Sequence, residues 1–283
     1  MKKRIITAIV ALCVFVPIII FANTPALPIG LAVCAVVAAY EILKCTGFVR
    51  SIAVSVPLYL SAAAFPFLLR YLPKTGAVTW QKLAVAILFF LVLYLFGVMI
   101  FSKGKYQITN LATALLCFVY SSAGLFSILY IHDFVPGGKY IYLLTFIGAW
   151  ITDTFAYFCG MLFGRGGKHK LIPEVSPKKT VEGSIGGIVF CMISMVIFGL
   201  IVGKINSDFT PNYWILLLAG LLISIVAQIG DLALSVVKRH YGIKDYGFLF
   251  PGHGGVLDRF DSVIAVSIVL AGLTAFVSLF SVI

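Results

Sequence analysis

The sequence predicts an all-α integral membrane protein of about nine spanning helices, and three features lead there. Of its 283 residues, 61% are hydrophobic and 11% are charged, with a mean hydropathy of +1.11. Water-soluble domains carry about a quarter charged residues, so a chain this apolar cannot cover itself with polar groups. Its apolar residues come in runs of about 20, the length that crosses a hydrocarbon core. Its basic residues, finally, gather in alternate gaps between those runs.

The runs are read in chain order. The first, 5–22, follows Lys2, Lys3 and Arg4 in the manner of a signal peptide. No small-residue cleavage site followed by a polar chain comes after it, so it is taken as a retained helix. Spans 27–43 and 51–72 are the least regular, because Pro28, Pro57 and Pro66 interrupt them. Spans 80–101 and 109–131 are uninterrupted. Span 139–163 encloses Asp153, span 181–202 opens on Glu182, span 212–236 holds Asp231, and span 259–281 opens beside Asp258 and Asp261. No repeat, low-complexity tract or linker divides the chain, which is read as a single polytopic domain, 1–283.

Charge orients it. With nine spans and a cytoplasmic N-terminus, 16 of the 21 Lys and Arg residues fall in cytoplasmic segments, leaving Arg70, Lys74, Lys82, Lys139 and Lys204 outside. The positive-inside rule favours this arrangement and puts the C-terminus outside. The net charge of +11 therefore points to anionic lipid and nucleotide, not to nucleic acid. The six cysteines lie scattered in apolar stretches without paired spacing, as small apolar fillers rather than disulfide or soft-metal partners.

The ten acids carry more information than the bases. Asp133 and Asp208 fall in outside loops; the other eight lie in cytoplasmic loops or in spans opening toward them. Asp153 sits some 11 residues inside its span, about 16 Å at 1.5 Å per residue, near the bilayer midplane. An ionised carboxylate there is costly unless paired or hydrated. Together with Glu182, Asp231, Asp258 and Asp261 it outlines a polar funnel opening to the cytoplasm. Plainer readings stand beside this one: Glu41 snorkelling at an interface, Asp153 pairing a buried Lys or a Trp N–H, and Glu182 answering a helix dipole.

Residues 235–261 read SVVKRHYGIKDYGFLFPGHGGVLDRFD. Asp231, Ser235 and Lys238 share a helix face at i, i+4 and i+7, with Arg239 following. Lys244 and Asp245 occupy the next loop, and Pro251, Gly252, His253, Gly254 and Gly255 form a stretch where backbone approaches a ligand closely. Asp258 and Asp261 stand one turn apart, with Arg259 between them. Carboxylates from two helices suit Mg²⁺, which shares its shell with substrate phosphates, and the Lys and Arg side chains suit the remaining phosphate oxygens. That set supports phosphoryl or nucleotidyl transfer, which needs alignment and charge neutralisation.

The same stretch resembles the C-terminal pattern of the phosphatidate cytidylyltransferases, or CDP-diglyceride synthetases. Its Ser–x–apolar–Lys–Arg start, Lys–Asp pair, His–Gly–Gly and Asp–Arg–x–Asp all stand at the family's spacing. SPKKTVEGSIGG at 176–187 and the surroundings of Asp153 are similar to it as well. The resemblance implies about nine helices, commonly dimeric, with a funnel reached from cytoplasm and inner leaflet. On that basis the helices within 1–135 serve as scaffold or dimerisation elements, and 136–283 carries the catalysis. It implies CTP and phosphatidic acid as substrates, CDP-diacylglycerol and pyrophosphate as products, Mg²⁺ as cofactor and K⁺ as its monovalent companion. Carried over by position, Asp231 and Asp258 match the metal-binding acids, with Asp261 close by.

Lys238, Arg239, Lys244 and Arg259 are then the phosphate contacts, undivided between the two substrates. Ser176, Lys178, Lys179, Thr180 and Glu182 form a second cytoplasmic element, expected to meet phosphate at a helix N-terminus or to serve only as a basic loop. Gly183 and Gly187 are read as helix packing. His253 is read either as a proton or pyrophosphate contact or as a loop residue, and Arg165 with 168–170 as attracting anionic lipid. The expected location is a bacterial plasma membrane with the site facing the cytoplasm. Two rivals remain: a CTP-dependent kinase of a polyprenol or related lipid alcohol, and an ion-coupled transporter, which does not account for the Lys–Asp and His–Gly–Gly loop.

Overall fold

A computed structural model describes residues 2–76, 78–164, 169–252 and 254–282. Ten helices follow in order among them: α1 (Lys2–Ile20), α2 (Ala26–Cys45), α3 (Ile52–Tyr71), α4 (Trp80–Phe101), α5 (Ile108–Phe134), the single turn α6 (Gly138–Ile141), α7 (Leu143–Phe163), α8 (Val181–Ile205), α9 (Tyr213–His240) and α10 (Leu257–Phe276). Among the described residues eight stretches are long and apolar enough to cross a membrane, α6 and α7 counting as one; α1 adds a shorter apolar segment, Ile9–Ile20. The chain is an all-α integral membrane protein.

Four short strands accompany the helices among the described residues. β1 (Lys170–Ile172) pairs antiparallel with β2 (Ser176–Thr180), and β3 (Phe209–Pro211) with β4 (Phe280–Val282). Two expectations change here. SPKKT is a strand of a hairpin rather than a loop. The last span ends at Phe276, five residues short of the expected 281, because the chain beyond it turns to pair with β3. Pro57 and Pro66 do not break α3, which runs unbroken from Ile52 to Tyr71. Ser61 Oγ donates to the Pro57 carbonyl at 2.8 Å, a side-chain bond back along the preceding turn of the helix.

Two compact units divide the chain: Met1–Leu129 with Tyr241–Arg259, and Tyr130–His240 with Phe260–Ile283. In the first unit α2 packs along α3, and the loop after residue 241 joins them. In the second, α7, α8 and α9 pack closely through small residues. The buried face of α8 is Gly183, Gly187, Cys191, Met195, Gly199 and Val202, spaced by four residues until a last step of three. A methyl group at Gly183 would collide with the Ala156 carbonyl, and one at Gly187 would press on that of Thr152. These glycines are helix packing, as read from the sequence.

Candidate active site

The buried stripe of α9 runs Leu216, Ala219, Gly220, Ile223, Ser224, Ala227, Gln228, Leu234, Ser235 and Lys238. Its period of three to four residues is that of a helix face, and along this one it turns from apolar to polar. Asp231 continues it, so Asp231, Ser235 and Lys238 share one face as the spacing required. Ser235 Oγ donates to Asp231 Oδ1 at 3.4 Å. Lys179, from β2, brings Nζ to 2.5 Å from Asp231 Oδ2. Buried beside them, Asp261 of α10 lies within hydrogen-bond reach of Asp231, feels the charge of Asp153, and has its Oδ1 bonded by the Ser262 N–H at 2.8 Å. Asp153, exposed on α7, accepts from Ser262 Oγ at 3.1 Å. Lys238, also buried, interacts electrostatically with Asp231 and Asp261.

A cavity of about 260 Å³ opens among these groups, lined by Asp153, Tyr157, Lys178, Lys179, Thr180, Ser184, Gln228 and Asp231 with two small residues. Pockets that enclose a whole drug-sized ligand span roughly 300–1,000 Å³, so this one fits the polar part of a substrate. Gln228 Nε2, aimed at the carbonyls of Ser184 and Ser224 at 3.4 and 3.3 Å, ties α9 to α8 at its floor.

The hairpin is held to α8 at its base. Val181 N–H donates to the His169 carbonyl at 2.9 Å, and His169 Nδ1 meets Glu182 Oε1 at 2.6 Å. Thr180 caps α8 by accepting the Gly183 N–H at 3.2 Å. The cap already uses one of the helix's first amides. SPKKT therefore reaches the cavity through lysine side chains on a strand, where the sequence suggested a helix N-terminus. Two sealed polar atoms stand out. Beyond the Asp231 contact, Lys179 Nζ has no aligned hydrogen-bond acceptor, and Glu182 Oε2 has no partner, among the described residues. An ammonium carries three donors, so at least two remain for an anionic acceptor.

In the first unit the glycine-rich loop is held by two carboxylates. Asp258 Oδ2 accepts the N–H of Tyr246 at 2.8 Å and of Gly255 at 2.9 Å. Glu41 accepts the N–H of Val256 at Oε1 and of Leu257 at Oε2, both at 2.9 Å. Phe250 and Gly254 exchange backbone bonds across the loop, with Gly254 in the left-handed region at φ +91°.

Comparison with known proteins gives the family. The model of the cytidylyltransferase family matches residues 2–277. Phosphatidate cytidylyltransferases from Staphylococcus haemolyticus and Staphylococcus aureus are 36% identical to the chain over 262 residues, 93% of this chain and 94% of theirs. That of Staphylococcus saprophyticus is 34% identical over the same shares. The chain belongs to the cytidylyltransferase family. It is a nucleotidyltransferase embedded in the membrane, and the resemblance read from 235–261 extends over nearly all of it.

As a cytidylyltransferase it distributes its expected site residues in three ways. Asp153, Lys178, Lys179, Thr180 and Asp231 line one cavity, with Ser235, Lys238 and Asp261 adjoining, Ser176 at the start of β2 and Glu182 in the first turn of α8. Lys244, Asp245, Gly254, Gly255, Asp258 and Arg259 belong to the first unit, where Lys244, Asp245 and Arg259 are exposed. Arg239 is exposed near the end of α9. His253, Arg165 and Lys168 lie outside the described residues.

The sequence reading missed Glu41, His169, Gln228 and Ser262. Glu41 does not snorkel: it is 2% exposed. A lone acid within an apolar run was its signal. Asp153 accepts from a serine hydroxyl, that of Ser262. Among the described residues no three His, Cys, Asp or Glu side chains converge as a metal cage.

Proposed function

We propose that this cytidylyltransferase joins CTP to phosphatidic acid and releases CDP-diacylglycerol and pyrophosphate. The observation that carries the reading is the sealed Lys179 ammonium, which meets Asp231 and keeps donors over in a polar cavity of a membrane-embedded unit. Such a group binds phosphate oxygens, and the relatives' names supply which phosphates. A phosphate oxygen of phosphatidate forms a bond to the α-phosphorus of CTP. The bond from that phosphorus to the bridging oxygen breaks, and pyrophosphate leaves with its electron pair. Phosphate monoesters are largely dianionic near neutrality, so no strong base is required. The difficulty is bringing two polyanions together, and Lys178, Lys179 and Lys238 oppose that repulsion. Arg239, Lys244 and Arg259 are the further phosphate contacts in this reading.

The donor set fits Mg²⁺. Asp231 and Asp261 lie within hydrogen-bond reach of each other, and Asp231 already attracts an ammonium, so the pair offers oxygens to a cation. Mg²⁺ needs only one or two carboxylates when substrate phosphates complete its shell, so a three-residue cage is not required. Asp231, Asp258 and Asp261 are the acids assigned to it, with K⁺ as a companion. When bound, the ion would neutralise phosphate charge; the chain's own part is to hold the acids and lysines in place. The same reading takes the protein as a homodimer of a bacterial plasma membrane, N-terminus and site on the cytoplasmic side and C-terminus outside.

Purified protein in mixed micelles with Mg²⁺, phosphatidic acid and CTP labelled separately at its α- and γ-phosphates tests the reaction. Label from the α position should enter lipid as pyrophosphate is released. Label from the γ position entering a polyprenol, with none from α in lipid, would replace this reading by the lipid-kinase one.

A further inference from the structure

We propose that Glu41 is a positioning residue: a carboxylate on α2 that fixes the glycine-rich loop and, through it, the direction of Asp258. This rests on the reading of Asp258 as an Mg²⁺-binding acid. Glu41 lies four residues from the end of α2 and more than 200 residues from the loop in sequence, yet it is 2% exposed. Its two oxygens take adjacent amides, Val256 and Leu257, at the point where α10 begins. The first amides of a helix have no partner within it, and an acid placed there is favoured by both hydrogen bonding and the helix dipole. Glu41 therefore caps α10 from another helix.

The fit leaves no slack. A methyl group on Gly247 or on Gly255 would run into the Glu41 carboxylate. Glycine at these positions lets the loop backbone close on the acid. Asp258 takes the amides of Tyr246 and Gly255 at a single oxygen, Oδ2. Four backbone N–H groups are thus divided between two acids, and each acid limits where the other can point. Without Glu41, the Val256 and Leu257 amides lose their acceptors, and the loop amides that set the direction of the Asp258 carboxylate are no longer held from α2.

Hydrogen exchange on the full chain in detergent reads the clamp, independently of activity. In Glu41→Gln the 246–257 segment should exchange roughly tenfold faster, the size expected for losing a charge-assisted bond, with α8 unchanged. The Mg²⁺ concentration for half-maximal turnover should rise by a similar factor, about five- to tenfold, and excess Mg²⁺ should restore most of kcat. Gly255→Ala, which pushes on the same carboxylate, should reproduce both effects. If Glu41→Gln does not fold, Glu41→Asp, charged but one methylene short, carries the same test. Unchanged exchange in a folded variant overturns the clamp. Faster exchange with an unaltered Mg²⁺ response overturns the positioning role. Asp258→Asn runs alongside: an unaltered Mg²⁺ response there would sink the metal role of Asp258 and leave the clamp to be judged by exchange.

Discussion

Lys179→Met removes the ammonium facing Asp231 while keeping an apolar stem of similar length. In the native pair Lys179 is 23% and Asp231 27% exposed. Breaking a fully buried pair by removing one partner costs about 3–5 kcal/mol, whereas an exposed pair contributes about 0–1 kcal/mol. A pair open over about a quarter of its surface falls between them, so a stability loss of roughly 1–3 kcal/mol is expected. The effect on turnover should be larger. Losing a preorganised donor to a phosphate oxygen in a closed site costs about 10²- to 10³-fold in kcat. Transfer of α-label from CTP to lipid measures the second effect, and thermal melting in detergent the first. The double variant Lys179→Met with Asp231→Asn separates them. With both charges gone, stability should recover part of the loss, while activity stays at or below that of the single variant. Turnover of a folded Lys179→Met within threefold of the native rate would refute the assignment of this lysine to substrate phosphates.

Other changes test neighbouring parts of the argument. Asp231→Asn should nearly abolish label transfer while the protein still purifies folded; full activity would remove this acid from the metal site. His169→Gln loosens the hairpin at Glu182 rather than the cavity itself, so KM for CTP should rise about three- to tenfold, with kcat within a factor of two, the size of one lost hydrogen bond. Gly187→Leu should reduce thermal stability in detergent by about 1–3 kcal/mol or more, because its side chain would overpack α7 against α8; an unchanged melting temperature would contradict the packing described for that pair.

The helices were legible because hydrocarbon imposes a simple rule. Each stretch of about 20 apolar residues must satisfy its backbone internally, and helix α4, which runs from Trp80 to Phe101 as the sequence indicated, shows the rule acting alone. Asp231, Ser235 and Lys238 were legible for the same reason: 3.6-residue periodicity puts them on one face whatever they contact. Two kinds of feature were hidden. Short strand pairs such as Phe209–Pro211 with Phe280–Val282 depend on partners some 70 residues apart, and neither segment carries a local signal of pairing. Glu41 was visible only as an acid in the wrong solvent. Its partners are backbone amides, which every residue but proline possesses, so no residue type in 246–257 announces where it binds.

That contrast separates two uses of carboxylates in this chain. Glu41 and Asp258 spend oxygens on main-chain N–H groups, and each is buried within a unit that gives it direct neutral donors. Asp231 has side-chain partners instead: a serine hydroxyl at long range, an ammonium, and another carboxyl. Amides fixed in a backbone cannot be exchanged for a ligand without unravelling a helix start. A lysine on a two-stranded hairpin can swing to a phosphate oxygen through rotation of its own side chain. The acid with exchangeable partners is the one suited to meet substrate and cation, and the acid with fixed partners is suited to hold the frame. Asp258 has fixed partners at one oxygen, so its contribution to ion binding must leave those two amide bonds in place. On this reasoning Asp231→Asn should nearly abolish turnover without loosening the 246–257 loop, whereas Asp258→Asn should both lower turnover and loosen the loop, and hydrogen exchange across that segment tells the two variants apart.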